Sequence, residues 1–461
     1  MNQHIAYFKQ LLGDYCLADE DACQRYSHDE TEDIRQIPAC VLKPSSVDEV
    51  SAILAYCSKN LLPVTPMGAR TGLSGGAIPP KNGIALSMER FNKILTIDEK
   101  NHQVITEPGV ITQVLQDTLK EKGLFYPPDP ASKGSCFIGG NVSENSGGPK
   151  AVKYGVTKDY VLNLEVVLAD GSVIWTGANV LKNATGYNLT QLIVGSEGTL
   201  GVVTKIVLKL LPHPTESLLL LVPFFSAKQA CEAVAAIYQR GIIPSGLEFM
   251  ERDALVWSQE YTQDYSIAIK DNHQAHLLIE LDGFNTDVLM SDCEIIMSVL
   301  EQFETDEILF ADTQAQKDKL WNLRRKVAEA VRSRSIYKEE DTVVPRFALP
   351  ELLVAIKELG NEFGFKSVCY GHAGDGNLHV NIIKGDLSDE KWNKELTQVI
   401  RKLFEKVVAL GGTLSGEHGI GLVQKQYMDI AFNATQLQLM KSIKQVFDPN
   451  GILNPGKIFM D

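Results

Sequence analysis

GGNVSENSGG, residues 139–148, holds four glycines in ten positions, interleaved with Asn141, Ser143, Asn145 and Ser146. It is approached through Pro127-Pro128-Asp129-Pro130, and it is one of three such clusters in the first half of the chain. The others are Pro66-Met67-Gly68-Ala69-Arg70-Thr71-Gly72-Leu73-Ser74-Gly75-Gly76 and Gly195-Ser196-Glu197-Gly198-Thr199-Leu200-Gly201. Glycine lets backbone N–H groups turn inward and approach an anion closely. One such loop is an ordinary tight turn. Three, each mixed with hydroxyl or amide side chains, read as the cradle of a large anionic cofactor. The standard nucleotide signatures are missing. No GxxxxGK[ST] is present, and no GxGxxG lies between a strand and a helix with an acid about twenty residues on.

Around these loops the chain has the length of two or three domains, 461 residues, with 44% hydrophobic residues and a net charge of −14. That acidic balance disfavours nucleic acid as the main partner. The longest strongly apolar run, Leu218 to Phe225, is interrupted by Pro223 and is far too short to span a bilayer. The first residues, MNQHIAYFKQLLGDYC, show no basic segment followed by an apolar one, so a cytoplasmic protein is expected. The eight cysteines form no CxxC pair. They read as free, mostly buried thiols of a reducing compartment, and not as a disulfide framework or a thiolate metal site.

Ser46 and Glu49 form a capping-box pattern ahead of the periodic VSAILAYCSKN, which predicts a helix. LEVVLAD and LGVVTKIVLKLL read as strands. Two prolines at Leu211-Pro212-His213-Pro214 suggest a boundary. We therefore expect an α+β protein of three parts. Residues 1–215 form a first domain with its core at about 36–215, residues 216–410 form a second α+β domain, and residues 411–461 form a glycine-rich, then helical, tail.

Three of the nine histidines sit in two glycine-rich motifs, Tyr370-Gly371-His372-Ala373-Gly374-Asp375-Gly376-Asn377-Leu378-His379-Val380-Asn381 and Ser415-Gly416-Glu417-His418-Gly419. KSVCYGHAGDGNLHVNII reads as strand, turn, strand. Leu378, Val380 and Ile382 share one face of the second strand, and His379 and Asn381 share the other. His372, His379 and Glu417 are a donor set that suits a divalent metal with an open position. Histidine is also the natural base near neutral pH. A helix is expected around 317–334, with Leu320, Leu323, Val327 and Val331 as its apolar stripe. Arg324 falls inside that stripe, where a cation needs a partner: a structural acid or a bound carboxylate. Arg332 and Arg334 read as a solvated face.

Several long motifs in this order resemble one known family. PMGARTGLSGGAIP, EPGV (107–110), PPDPASKGSCFIGGNVSENSGGPKAVKYGVTKDYV and GYNLTQLIVGSEGTLGVVT are similar to the FAD-binding domain of the vanillyl-alcohol oxidase/p-cresol methylhydroxylase (PCMH) family. The two histidine motifs narrow the resemblance to FAD-linked D-2-hydroxy-acid dehydrogenases, such as D-lactate dehydrogenase, the glycolate oxidase flavin subunit and D-2-hydroxyglutarate dehydrogenase. The resemblance implies a PCMH-type FAD-binding domain of two α+β subdomains, a cap domain that holds substrate, and a tail that returns to the FAD domain. It implies FAD contacts from Pro66, Gly68, Arg70, Thr71, Gly72, Ser74, Gly75, Gly76, Pro108, Gly139, Gly140, Asn141, Ser143, Asn145, Gly147, Gly148, Tyr154, Gly155, Glu197, Gly198, Val202 and Asn454. The first loop, RTGLSGGA, has no histidine for covalent attachment, so the FAD is expected to be dissociable.

The same resemblance implies zinc or manganese on His372, His379 and Glu417, and His418 as the base that takes the hydroxyl proton. It implies Arg324, Lys338 and Asn381 as substrate contacts. Ala328 stands where the 2-hydroxyglutarate enzymes carry Thr, which favours a smaller acid. The implied electron acceptor is external: a quinone, a cytochrome, an electron-transfer flavoprotein or an iron–sulfur subunit. A homodimer and peripheral contact with a membrane stay open. So do two other readings: a non-redox FAD-using transferase resembling alkylglycerone-phosphate synthase, and a flavin subunit active only in a complex.

Overall fold

The computed structural model describes residues 1–32 and 34–460. The chain divides into two compact units. The first contains residues 1–147, 155–213 and 417–461, and the second contains 148–154 and 214–416. All eight cysteines are unbridged and buried.

The first unit has two main sheets. One joins β1 (Cys16–Leu17), β2 (Cys40–Leu42), β3 (Val64–Met67) and β4 (Ile84–Ser87) in the order β1-β2-β4-β3, with β2, β4 and β3 parallel. The helix Val47–Asn60 connects β2 to β3 and buries Val50, Ile53, Leu54 and Cys57, the 3–4–7 spacing of one helix face. Ser46 Oγ accepts from Glu49 N at 3.2 Å. The Glu49 carboxylate accepts from Ser45 N and not from the cap residue itself, so the box is open on one side. The second sheet is antiparallel and joins β5 (Ile94–Asp98), β6 (Gln103–Thr106), β8 (Val161–Val167), β9 (Val173–Trp175) and β10 (Val202–Lys209) in the order β5-β6-β10-β8-β9. A short ribbon pairs β7 (Leu124–Phe125) with β11 (Leu211–Pro212). The chain from Glu417 onward packs here as well: Leu453 bridges Val64, and Asn454 N donates to Val64 O at 2.7 Å.

The second unit is built on one seven-stranded sheet. Its strands are β12 (Glu216–Phe224), β13 (Gly246–Glu251), β14 (Ala275–Gly283), β15 (Leu309–Ala311), β16 (Tyr337–Val343), β17 (Lys366–Gly371) and β18 (Asn377–Ile383). The order is β15-β12-β14-β13-β17-β18-β16, antiparallel throughout. One face carries Leu219, Leu221, Met250, Leu278, Tyr337, Val368, Tyr370 and Ile383, packed on helices Arg252–Thr262, Gln314–Arg325 and Val327–Arg334. The single helix expected around 317–334 is two, broken at Lys326, but Leu320, Leu323, Val327 and Val331 are all buried on it. Arg332 and Arg334 are exposed, and Arg334 pairs with Glu260. The segment 148–154, quoted above with the first-half loops, is tied into this unit. Lys150, Lys153 and Tyr154 all bond Asp282 of β14, the Tyr154 hydroxyl at 2.7 Å.

Candidate active site

The first unit contains a cleft of about 1310 Å3, counting its open mouth. It is lined by Pro66, Gly68, Arg70, Thr71, Gly72, Gly76, Pro108, Gly139, Gly140, Asn141, Ser143, Glu197, Gly198 and Val202, and by Glu417 and His418 from the tail. The glycines divide by role. A Cβ at Gly139 would run into Pro108, so that residue permits a close approach of two loops, sealed by Gly139 N donating to Pro108 O at 2.8 Å. A Cβ at Gly72 or Gly140 would meet no atom within 4 Å, so these two leave backbone open to a ligand. Arg70 has φ +61° and its guanidinium lies over the Tyr26 ring, 4.2 Å from the centroid. Such a cradle, with bare backbone and small hydroxyl and amide side chains, suits a bulky anionic cofactor.

The remaining expected cofactor residues are not part of this lining. Ser74 O accepts from Leu422 N at 2.8 Å, and Gly75 abuts the Leu422 side chain. Asn145 caps its helix at φ +55° and accepts from Lys158 N. Gly147 backs on Glu417, and Gly155 forms a turn against Asp159. Gly148 and Tyr154 belong to the second unit. Asn454 is a clamp between loops: its Nδ2 donates to Gly76 O at 2.9 Å and to Glu197 O at 2.8 Å.

Glu197 also takes a structural part. It is buried at φ +51°, and its carboxylate accepts from Ile420 N at 2.8 Å and Gly421 N at 2.7 Å, fixing the turn just after His418. Nearby, Glu144 is half-buried, and its Oε2 is shielded from solvent with no hydrogen-bond partner. Burial, then the charges of Glu197 and Asp29, push the Glu144 carboxyl well above the ordinary range. Lys457 donates to Ile78 O at 2.6 Å and is pushed down to about 8 by burial, against the opposing pull of Asp29 and Glu197.

In the second unit β17 and β18 form the hairpin that the alternation predicts, with Tyr370 opposite His379 and Val368 opposite Asn381. Leu378, Val380 and Ile382 are buried on one face. His379 and Asn381 lie on the other, towards the Arg324 helix. His372 and His379 stand nearly perpendicular, ring centroids 5.6 Å apart. His372 Nδ1 is 2.7 Å from Glu248 Oε1, so Nδ1 carries the proton and Nε2 is the nitrogen suited to a metal. Arg324, 7% exposed, meets the same carboxylate: Nε donates to Glu248 Oε2 at 2.8 Å and Nη2 at 2.6 Å. Burial alone would raise the Glu248 carboxyl; His372 and Arg324 outweigh it and hold it below the usual range. The Arg324 guanidinium lies 5.0 Å from the Tyr370 ring centroid. The Tyr370 hydroxyl and Asn381 Oδ1 are buried near each other on this face, with no other hydrogen-bond partner.

Lys338 is not brought to this face. It is opposite Ile382 in register, whereas Glu339 is opposite Asn381 and Asp341 opposite His379. Side chains alternate along a strand, so Lys338 leaves the sheet on the apolar side and Glu339 faces the histidines. Glu339 Oε1 is 3.2 Å from His379 Nδ1. Asp341 holds the segment ending at Gly416: its Oδ2 accepts from Ser415 Oγ at 2.7 Å and Gly416 N at 2.8 Å, and Glu417 and His418 follow directly in the chain.

The family profile described as "FAD linked oxidases, C-terminal domain" matches residues 213–458, and the one described as "FAD binding domain" matches residues 38–177. The glycolate oxidase subunit GlcD of Bacillus subtilis (strain 168) is 39% identical over 436 residues, covering 94% of this chain and 92% of its own. This chain belongs to the FAD-linked oxidase family. Other relatives differ in the substrate they are named for. A D-lactate dehydrogenase of Anaerostipes hadrus is 36% identical (98% and 96% covered), and a D-2-hydroxyglutarate dehydrogenase of Stutzerimonas stutzeri (strain A1501) is 32% identical (96% and 96%). Among solved structures, p-cresol methylhydroxylase has a TM-score of 0.81 at 18% identity, covering 100% of this chain and 97% of its own. Alkyldihydroxyacetonephosphate synthase has 0.75 at 18%, covering 99% and 84%. At these identities the two structures share the PCMH-type fold with this FAD-linked oxidase and no more. Among the described residues of this family member, no helix is long and apolar enough to cross a membrane.

Glu248, Glu339, Asp341, Glu144 and Lys457 were not among the expected site residues. Glu248 had a signal, an acid between Leu247 and Phe249 in the largely apolar strand Gly246–Glu251. Lys457 had none beyond the NPGK turn.

Proposed function

We propose that this FAD-linked oxidase oxidises a D-2-hydroxy acid to the 2-oxo acid and passes the electrons to an external acceptor. The observation that carries the reading is the buried Arg324 held against Glu248 and His372, on the same strand face as His379 and Asn381. A pre-oriented guanidinium beside histidines and unsatisfied polar groups is what a small hydroxy carboxylate needs. The relatives named for glycolate, D-lactate and D-2-hydroxyglutarate support the substrate class.

When bound, FAD supplies the sink that takes the α-hydrogen as hydride, and a divalent metal supplies a Lewis acid for the hydroxyl oxygen. The glycine-rich loop 66–76 and the helix Ile138–Glu144 would hold the anionic part of FAD through backbone N–H groups, with Gly72 and Gly140 presenting bare backbone. His372 and His379, with Glu417, offer the donor set for zinc or manganese. Arg324 fixes the substrate carboxylate, and Asn381 contacts the substrate through its side-chain amide. His418 takes the hydroxyl proton at an imidazole nitrogen, and its turn is braced by Glu197 through Ile420 N and Gly421 N. Catalysis by the protein is positioning and electrostatics.

The test is the visible spectrum of the FAD-loaded protein, followed anaerobically as D-lactate, L-lactate, glycolate and D-2-hydroxyglutarate are added separately. Bleaching by a hydroxy acid, and by only one mirror image of lactate, is expected. A flavin band untouched by all four would overturn the proposal and favour the transferase reading, which the shared fold with alkyldihydroxyacetonephosphate synthase accommodates.

A further inference from the structure

We propose that Glu339 sets the substrate class of this site: it rejects 2-hydroxy acids that carry a second carboxylate and leaves the site to monocarboxylic ones. The inference rests on the reading of the site given above. The register that turns Lys338 away turns Glu339 inward, opposite Asn381. Its Oε1 lies 3.2 Å from His379 Nδ1, and Asp341 Oδ1 lies 4.0 Å from the same nitrogen. Asp341 is engaged structurally, accepting also from Asn377 Nδ2 at 2.6 Å. Arg324 is matched by Glu248 at 2.6 Å.

Apart from a metal held by His372 and His379, this face carries the Arg324 guanidinium and the carboxylates of Glu248, Glu339 and Asp341, the first of them paired with Arg324. An incoming carboxylate can share Arg324 with Glu248 and gain. A second carboxylate on the same small molecule meets the acids of β16. In a site poor in water, like charges so placed weaken binding steeply. A glycine-sized or methyl-sized substituent at the α-carbon carries no charge to repel.

The experiment is the steady-state kcat/KM of the FAD-loaded enzyme for D-lactate and for D-2-hydroxyglutarate, with a dye as acceptor, in the wild type, Glu339→Gln and Glu339→Asp. Flavin content is measured on each sample. The wild type should favour D-lactate. Glu339→Gln should raise the hydroxyglutarate-to-lactate ratio about tenfold or more, since one like-charge contact is removed. Glu339→Asp, which keeps the charge, should hold the ratio within about twofold of wild type. The ratio is the decisive readout, because a residue that merely orients His379 would change both substrates equally. An unchanged ratio in Glu339→Gln, or a wild type that prefers the diacid, would overturn the inference while leaving the proposed reaction standing. Failure of these two acids and of glycolate to reduce the wild-type flavin would instead overturn the reaction, and this inference with it.

Discussion

The cleft of the first unit and the polar strand face of the second solve recognition in opposite ways. The cleft is lined largely by backbone: Gly68, Gly72, Gly139, Gly140 and Gly198 contribute no side chain, and the Glu197 carboxylate is braced by the backbone N–H groups of Ile420 and Gly421. The strand face is made of titratable side chains, with Arg324, Glu248 and His372 in one buried chain of bonds and Glu339 and Asp341 beside His379. A large cofactor that stays through many turnovers is well served by many weak N–H contacts on fixed loops. A small acid that must be chosen each time needs a few strong charges held in place. Backbone recognition tolerates side-chain change as long as the loop keeps its shape, whereas charge recognition fails when one partner of a pair is lost.

The largest break in this contrast should come from Arg324→Ala. It strands the Glu248 carboxylate in the core of the second unit, costing about 3–5 kcal/mol of stability in urea melts. It should also lower kcat/KM for the hydroxy acid by about 10²-fold or more. Next is Lys457→Met. The folded pKa of Lys457 is depressed to about 8, so between pH 8 and the ordinary lysine value the unfolded chain binds more protons than the native one. The lysine's contribution to stability is present above that window and is lost as pH falls through 8. Wild type should therefore gain about 2 kcal/mol relative to Lys457→Met between pH 7 and pH 10 in denaturant melts. Gly140→Ala is smaller. The added methyl enters open space, so the apoprotein should melt as wild type, while FAD affinity, read by fluorescence titration, falls about tenfold through crowding of the cofactor. The smallest effect belongs to Lys338→Ala, expected to leave kcat/KM within about twofold because the side chain leaves the sheet on the other face.

The two regions were also unequally legible in the sequence. A glycine loop announces itself, because bare backbone requires glycine whatever the rest of the chain does. The alternation of Leu378, Val380 and Ile382 with His379 and Asn381 was equally plain, since a period of two assigns faces without any knowledge of neighbours. Arg324 stood out as a cation in an apolar stripe. Its partner did not, because Glu248 lies 76 residues earlier and only the sheet brings the two together. Lys338 shows the converse. Motif matching counted residues along the chain, but strand parity decides which of Lys338 and Glu339 faces the site. The break at Lys326 escaped for a similar reason: the apolar stripe continues across it, with Val327 and Val331 still buried.

The division of labour itself is tested most directly by Arg324→Lys, which keeps the charge but not the planar fork. FAD content and anaerobic bleaching by D-lactate would be read on one sample of the holoprotein beside wild type. The account predicts equal FAD in both proteins, rapid bleaching in wild type, and bleaching slowed by about 10²-fold in the variant. Loss of FAD from Arg324→Lys, or bleaching at the wild-type rate, would contradict it.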